Sequence, residues 1–346
     1  MANRRPFRPM LGDRLEERLV LSAAAAHVAH QAAAQIMATS KPINPPPVPF
    51  VGPVGAMGDS YSDEYRFYSP DRSTARNWIE ILRATRGVSF GPNTTASRGE
   101  PRNAGFADNW SRSDATSNDM VANQLPGMTA QVAQGKVKYV SIFIGGNDYL
   151  HFISDVQAGK VVPANIPADL RQITFNLVKN VETSVLTLQA ANPNIKIVLV
   201  TLPDVSIIPA ARAAGSTPQG QLLLGAIGQA ISGFNTAITQ FAAPNPNVAI
   251  LDLAGVTKQI AAGGGAPTQF GGATIDFTNP RDNYHSFFLG DFIHVGTIAQ
   301  GIIAEAFALT IDQKFGAQLF PPTQKEIVQY AAAIQKLSSH PMMVKH

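Results

Sequence analysis

Ser60, Asn147 and the pair Asp291 and His294 are the residues whose types and settings could do chemistry together. Ser60 closes the tripeptide Gly58-Asp59-Ser60, directly after the apolar run Val54-Gly55-Ala56-Met57. A serine at a strand-to-loop turn can project its hydroxyl from a sheet edge, and a glycine relieves the tight backbone there. The pattern is not G-x-S-x-G, and an ordinary turn or helix cap is the competing reading of this tripeptide. Asn147 lies in Gly145-Gly146-Asn147-Asp148, after a second apolar run from Tyr139 to Ile144. Its amide can donate to a developing oxyanion, although Asn and Asp in such a run also bond their own backbone. His294 follows Asp291 by three residues. A carboxylate at that spacing can hold Nδ1–H, which leaves the other ring nitrogen to take a serine proton. Asp282 and His285 repeat the spacing, so it is not diagnostic by itself; the later pair is preferred because a strand-like loop, the histidine and a new helix follow in order.

These residues need a scaffold that gathers them. Four nearly continuous apolar runs, Val54 to Met57, Tyr139 to Ile144, Ile195 to Leu202 and Val248 to Leu253, read as parallel strands covered on both faces. Helical patterns separate them: Thr74 to Thr85, Asn118 to Gln134, Ala168 to Ala191, Gln219 to Phe241 and Thr297 to Phe315, with Thr297 as the expected N-cap of the last. The alternation predicts a three-layer α/β/α sandwich. Ligands bind at the carboxyl ends of strands in such sheets, which is where the polar turns fall. Gly263-Gly264-Gly265 and Gly271-Gly272 mark a flexible loop between about Ala261 and Leu289.

Three domain-level segments are expected. Residues 1–49 combine a basic start, the short segment Leu15 to Ser22 and an alanine run with a proline-rich linker from Lys41 to Pro53. They read as an export-type element and an extended spacer, which implies a secreted or cell-envelope protein, with a frayed amphipathic helix on a cytoplasmic protein as the alternative. Residues 50–320 form the folded domain, and 321–346 a helix from Gln324 to Leu337 with a loose tail.

Composition removes several function classes. Charged residues are only 15% of the 346, and 45% are hydrophobic, so a charge-rich disordered chain is excluded. Net charge is +3, without a clustered basic stripe in the folded part, which gives no support to a nucleic-acid surface. No run of about 18 uninterrupted apolar residues suggests a transmembrane segment. There is no cysteine, which rules out disulfides, thiolate metal sites and a cysteine nucleophile. The seven histidines are scattered without H-E-x-x-H, so no metal or other cofactor is expected.

Taken together, GDS near the start, GxND in the middle and DxxH near the end of one α/β domain resemble the SGNH (GDSL) hydrolase family over roughly residues 50–315. The resemblance implies a flavodoxin-like sandwich with about five parallel strands and a serine esterase or lipase activity without a metal. It implies Ser60 as nucleophile and, through its backbone N–H, as one oxyanion donor. It implies a side-chain donor at Asn147, a general base at His294 and its orienter at Asp291. The family's second oxyanion donor is the backbone N–H of a glycine, and Asp114 stands in the matching segment. An inward carboxylate there would oppose an oxyanion by roughly 2–3 kcal/mol at about 6 Å and an effective dielectric near 20, whereas an outward one, or one paired with Arg112, would not. The expected substrate is a short-chain acyl ester or an acylated polysaccharide. The alternatives are a lipid ester and a non-catalytic secreted binding protein on the same fold. Aromatic residues near the motifs, among them Tyr61, Tyr65, Trp110, Tyr149 and Phe287, could line an acyl cleft, stack on sugars or simply pack.

Overall fold

The computed structural model describes residues 52–68, 72–94, 105–262 and 267–339. The export-type segment, the proline-rich linker as far as residue 51, the Gly263–Gly265 stretch and the terminal tail lie outside the described residues. Four strands form the central sheet: β1 (Val54–Gly58), β2 (Tyr139–Phe143), β3 (Lys196–Val200) and β4 (Val248–Leu251). They are all parallel and lie side by side in chain order, with Gly58 opposite Phe143 and Val200 opposite Leu251. All four carboxyl ends therefore share one edge. Every residue of β1 is buried, as is Ile197–Val200 of β3, which is why these strands read as unbroken apolar runs. Full burial of each Val, Leu, Ile or Met side chain among them stabilises the fold by about 1.5–3 kcal/mol.

The sheet holds four strands where about five were expected. The fifth position, on the open side of β1, is filled by irregular chain. Val54 N–H donates to Ser89 O, Ala56 N–H to Asp108 O, and Trp110 N–H to Ala56 O, with one parallel bridge between Ala56 and Asn109. The edge is thus satisfied without a regular strand, because this segment must leave the ladder to reach the site.

Helices cover both faces: α1 (Trp78–Arg86), α2 (Leu125–Ala133), α3 (Gly146–Gln157), α4 (Ile166–Ala191), α5 (Pro209–Ala214), α6 (Pro218–Ala242), α7 (Leu253–Ala262), α8 (Thr297–Phe315) and α9 (Gln324–Ser339). Helix α1 begins at Trp78, four residues later than its pattern suggested, because Asn77 and Glu80 close a capping box there. Helix α8 spans the expected residues, but its N-cap is Gly296; the Thr297 hydroxyl accepts from Arg76 N–H instead. Helix α2 is entered through a π-helical turn at Met120–Gln124. Helices α3, α5 and α7 are additional to the five helical patterns of the sequence. Helix α6 alone among the described residues is long and apolar enough to cross a membrane, and it directs Leu223, Ile227, Ile231, Phe234 and Ile238 into the core. The segment expected as a loop after Ala261 carries a hairpin, Thr268–Phe270 with Ala273–Ile275, whose Ile275 is buried in a cluster with Phe287 and Phe288. Arg86 fastens α9 to the body, donating to Phe320 O, Pro321 O and the Glu326 carboxylate.

At the end of β1 the backbones of two strands approach too closely for a side chain. A Cβ on Gly58 would sit 2.2 Å from Phe143 O. The fixed carbonyl cannot yield as a flexible side chain would, so Gly58→Ala is expected to cost about 2 kcal/mol or more. Urea denaturation checks this: the midpoint should fall clearly below that of the parent.

Candidate active site

Beyond Gly58 the chain turns sharply. Ser62 and Asp63 N–H both donate to Asp59 O, and Tyr61 N–H donates to Asp59 Oδ1 at 3.0 Å. This winding puts Ser60 at the head of a one-turn coil at the sheet edge, where it lines a cavity. Gln124 steadies the strand end from below. Its amide donates to Gly58 O and accepts from Gly58 N–H, both at 2.8 Å, and the residue is buried.

The segment after Trp110 runs across this turn. Asn109 Nδ2 donates to Ser62 O, Arg112 N–H to Gly58 O, and Ser113 N–H to the buried Asp63 carboxylate. Asp114 follows with φ at 67°, a left-handed conformation in which a glycine would be unstrained. Its carboxylate is turned outward and accepts from His151 Nε2 at 2.8 Å; Arg112 is not its partner. Of the two orientations left open by the sequence, the outward one holds, with a partner the sequence reading did not name.

Asn147 sits in the first turn of α3, which starts where β2 ends. Gly145 permits that entry: its φ is 121°, and a Cβ would lie 2.8 Å from Leu177 and Leu202 side-chain carbons. Asn147 Nδ2 donates to Ala115 O at 3.0 Å and lines the cavity with Ser60. A carboxamide nitrogen carries two hydrogens, so one donor remains for a ligand. The next residue, Asp148, accepts from Ser117 N–H at 2.9 Å and Ser117 Oγ–H at 2.7 Å.

His294 lies in the loop before α8. Its Nδ1 is 2.6 Å from Asp291 Oδ2, while Asp291 Oδ1 accepts from the Ile293 and His294 amides. Partial burial would raise the Asp291 pKa, but the hydrogen bond and charge of His294 and these two amides outweigh it and bring it down to about 2. An ionised acceptor requires the proton on Nδ1, which puts the lone pair of the neutral ring on Nε2. The competing pair is not joined in this way: His285 Nδ1 contacts Thr274 O, and Asp282 accepts from Gly290 N–H. Tyr61, next to Ser60, ties the two loops together. Its hydroxyl donates to Ile293 O at 3.2 Å, and its ring centre is 6.2 Å from that of His294. Tyr65 meets the same imidazole edge-on at 5.9 Å.

About 840 Å³ of space lies in and over the cavity, open solvent included, and its wall is almost wholly apolar away from Asp59, Ser60 and Asn147. Leu202 and Val205 after β3, Leu253 and Val256 after β4, and Ile302 from α8 form much of it. Of the aromatic residues near the motifs, Tyr61 and Phe287 reach this wall, whereas Tyr65 and Tyr149 are fully buried and Trp110 bonds Gln131. Among the described residues, no three acidic or histidine side chains converge to hold a metal.

Asp59, at the cavity floor, is driven by burial, and further by Asp148 and Asp63, to a pKa of about 7. A carboxyl whose folded pKa lies above its unfolded value binds its proton more tightly when folded. Stability therefore falls as pH rises from about 4 to about 7 and levels off above that. Asp59→Asn keeps the Oδ1 acceptor for Tyr61 N–H and removes the ionisation. Its melting temperature should exceed the parent's at pH 8 and match it near pH 4, as followed by circular dichroism.

Residues 54–307 match the family model for GDSL-like lipase/acylhydrolase. Among solved structures, the lipase Lip_vut3 from a goat rumen metagenome is similar at 14% identity and a TM-score of 0.46, over 73% of this chain and 94% of that one. Phospholipase A1 from Streptomyces albidoflavus NA297 is 20% identical with a TM-score of 0.40, over 68% and 92% of the two chains. A Clostridium thermocellum family 3 carbohydrate esterase is 15% identical with a TM-score of 0.41, over 78% and 98%. No curated protein matches the sequence. With its family motifs spanning most of the folded domain, the chain belongs to the GDSL-like lipase/acylhydrolase family and is an ester hydrolase.

Proposed function

We propose that the protein hydrolyses carboxylic esters of apolar acyl chains through an acyl-enzyme on Ser60. His294 Nε2 takes the Ser60 proton as Oγ bonds to the ester carbonyl carbon. The carbonyl oxygen becomes an oxyanion that accepts from the amides of Ser60 and Asp114 and from Asn147 Nδ2. His294 then returns the proton to the alkoxide leaving group as the ester C–O bond breaks. Water, deprotonated by the same imidazole, repeats the sequence and releases the acid. Asp291 holds the ring and stabilises the imidazolium between the two transfers. The observation that supports this most is the joint setting of the groups. The Asp291–His294 pair stands beside Tyr61, and Ser60 and Asn147 face one cavity.

The cavity wall favours a lipid-like acyl group over an acetylated sugar. Its residues come from the ends of β1, β2, β3 and β4 in turn. Adjacent strands are about 4.8 Å apart, so three steps carry the groove roughly 14 Å from Ser60. At about 1.3 Å per carbon that accommodates a chain of around ten carbons. Each methylene buried there contributes up to about 0.8 kcal/mol. Such a wall offers little to a sugar ring, which needs hydrogen-bonding partners.

Ser60→Ala should lower p-nitrophenyl ester hydrolysis by about three orders of magnitude or more, and Asn147→Ala by about a hundredfold, mainly in kcat. Parent-like hydrolysis by purified Ser60→Ala protein would refute the mechanism. Across acetate to decanoate esters, kcat/KM should rise with chain length. Val256→Trp, which fills the far end of the groove, should cut turnover of decanoate while sparing acetate.

A further inference from the structure

We propose that His151 is a positioning residue, which holds the Asp114 carboxylate out of the oxyanion site and so lets an aspartate serve where the backbone calls for glycine. This inference rests on the reading of Ser60, Asn147 and the Asp114 amide given above. Three observations carry it. First, Asp114 has φ at 67°. In the turn it ends, the amides of Arg112 and Ser113 are already used by Gly58 O and the Asp63 carboxylate. The Asp114 amide is the next donor in line. Second, His151 lies four residues after Asn147 on α3, one helical turn along the same face. The same helix takes hold of the segment at three points: His151 on the Asp114 carboxylate, Asn147 on Ala115 O, and Asp148 on Ser117. The amide donor and the carboxamide donor of the oxyanion site are thereby referenced to a single rigid element. Third, the Asp114–His151 contact does nothing for the core. Its side chains are 81% and 48% exposed, so it sets where a side chain points without bearing on packing.

A carboxylate released from His151 can swing about its χ1 toward the oxyanion. The negative charge that would then face the developing oxyanion slows the chemical step and leaves ground-state binding of a neutral ester almost untouched. An exposed pair biases its side chain only a few-fold, which sets the size of the effect. His151→Ala should therefore lower kcat about fivefold with KM unchanged. His151→Gln, which retains an N–H donor of similar reach, should restore most of the loss. In an Asp114→Gly background no carboxylate remains to restrain, and adding His151→Ala should change kcat no further. Asp114→Asn combined with His151→Ala serves as a second check, since the uncharged amide cannot repel the oxyanion.

The measurement is a double-mutant cycle in kcat on a p-nitrophenyl ester, with circular dichroism to establish that each variant is folded. An unchanged kcat in His151→Ala overturns the inference, as does an equal loss in the glycine background, which would assign His151 to the stability of α3. The Ser60→Ala control separates these outcomes from a failure of the mechanism. If that variant retains full activity, the mechanism itself is wrong; if it is inactive while His151→Ala matches the parent, only the positioning role is lost.

Discussion

The pairing of Gly58 with Phe143 governs the geometry of the whole site. Parallel strands in register end at one level, and here two of them end against each other so closely that only glycine fits. The first chain leaves as a tight coil bearing Ser60, with its Asp59 N–H still bonded to Phe143 O. The second leaves through Gly145 into α3, which brings Asn147 to the same cavity. A bulkier residue at 58 would part the strand ends, and the serine and the carboxamide would move relative to each other. The Gln124 amide, bonded to both the N–H and the carbonyl oxygen of Gly58, holds that end of β1 in place.

The loops around this point have little regular structure, and buried carboxylates organise them instead. Asp63 gathers Ser113 N–H and the Tyr68 hydroxyl. Glu64 receives Phe106 N–H and Arg66, and Glu80 receives the amides of Tyr65 and Asn77. A buried amide without an acceptor costs about 1–3 kcal/mol, so each carboxylate that collects two donors fixes two otherwise irregular segments. The arrangement has its own cost. Burial drives Glu80 up to about 7 despite the counter-charge of Arg76, so desolvation outweighs the nearby cation at this residue.

Much of this was legible in the residues themselves. The four apolar runs became the four strands because a sheet covered on both faces demands uninterrupted hydrophobicity. Helix α8 was found residue for residue, since its pattern is long and ends at Gly316, whose φ is 64°. Helix α3 was missed because two glycines and an Asn-Asp pair at its start are also turn formers. The signal that would have found it is the spacing of Tyr149, Phe152 and Ile153, all buried, behind an acidic residue in the first turn. The two identical Asp-x-x-His spacings are alike in residue type and differ in sequence only by the helix that follows the later one; in the structure, what separates them is which backbone wraps the carboxylate. Asp291 collects its own loop's amides, whereas Asp282 accepts one from Gly290. Nor could composition reveal Gln124 or His151, whose roles exist only once distant segments meet.

Two carboxyl groups belong to this site, and their surroundings drive them in opposite directions. Asp291 receives an imidazole N–H and two backbone amides, and lies far down at about 2. Asp59 receives one backbone amide from Tyr61 and has Asp148 and Asp63 nearby, and lies near 7. Under the proposed mechanism this division is useful. The charge that remains ionised stands behind the imidazole, where it stabilises the imidazolium formed when Ser60 gives up its proton. The carboxyl at the cavity floor can instead become neutral, which keeps an uncompensated anion away from both the apolar groove and the oxyanion. An inward carboxylate at Asp114 would add a further negative group to the same neighbourhood, and the outward bond to His151 turns it away.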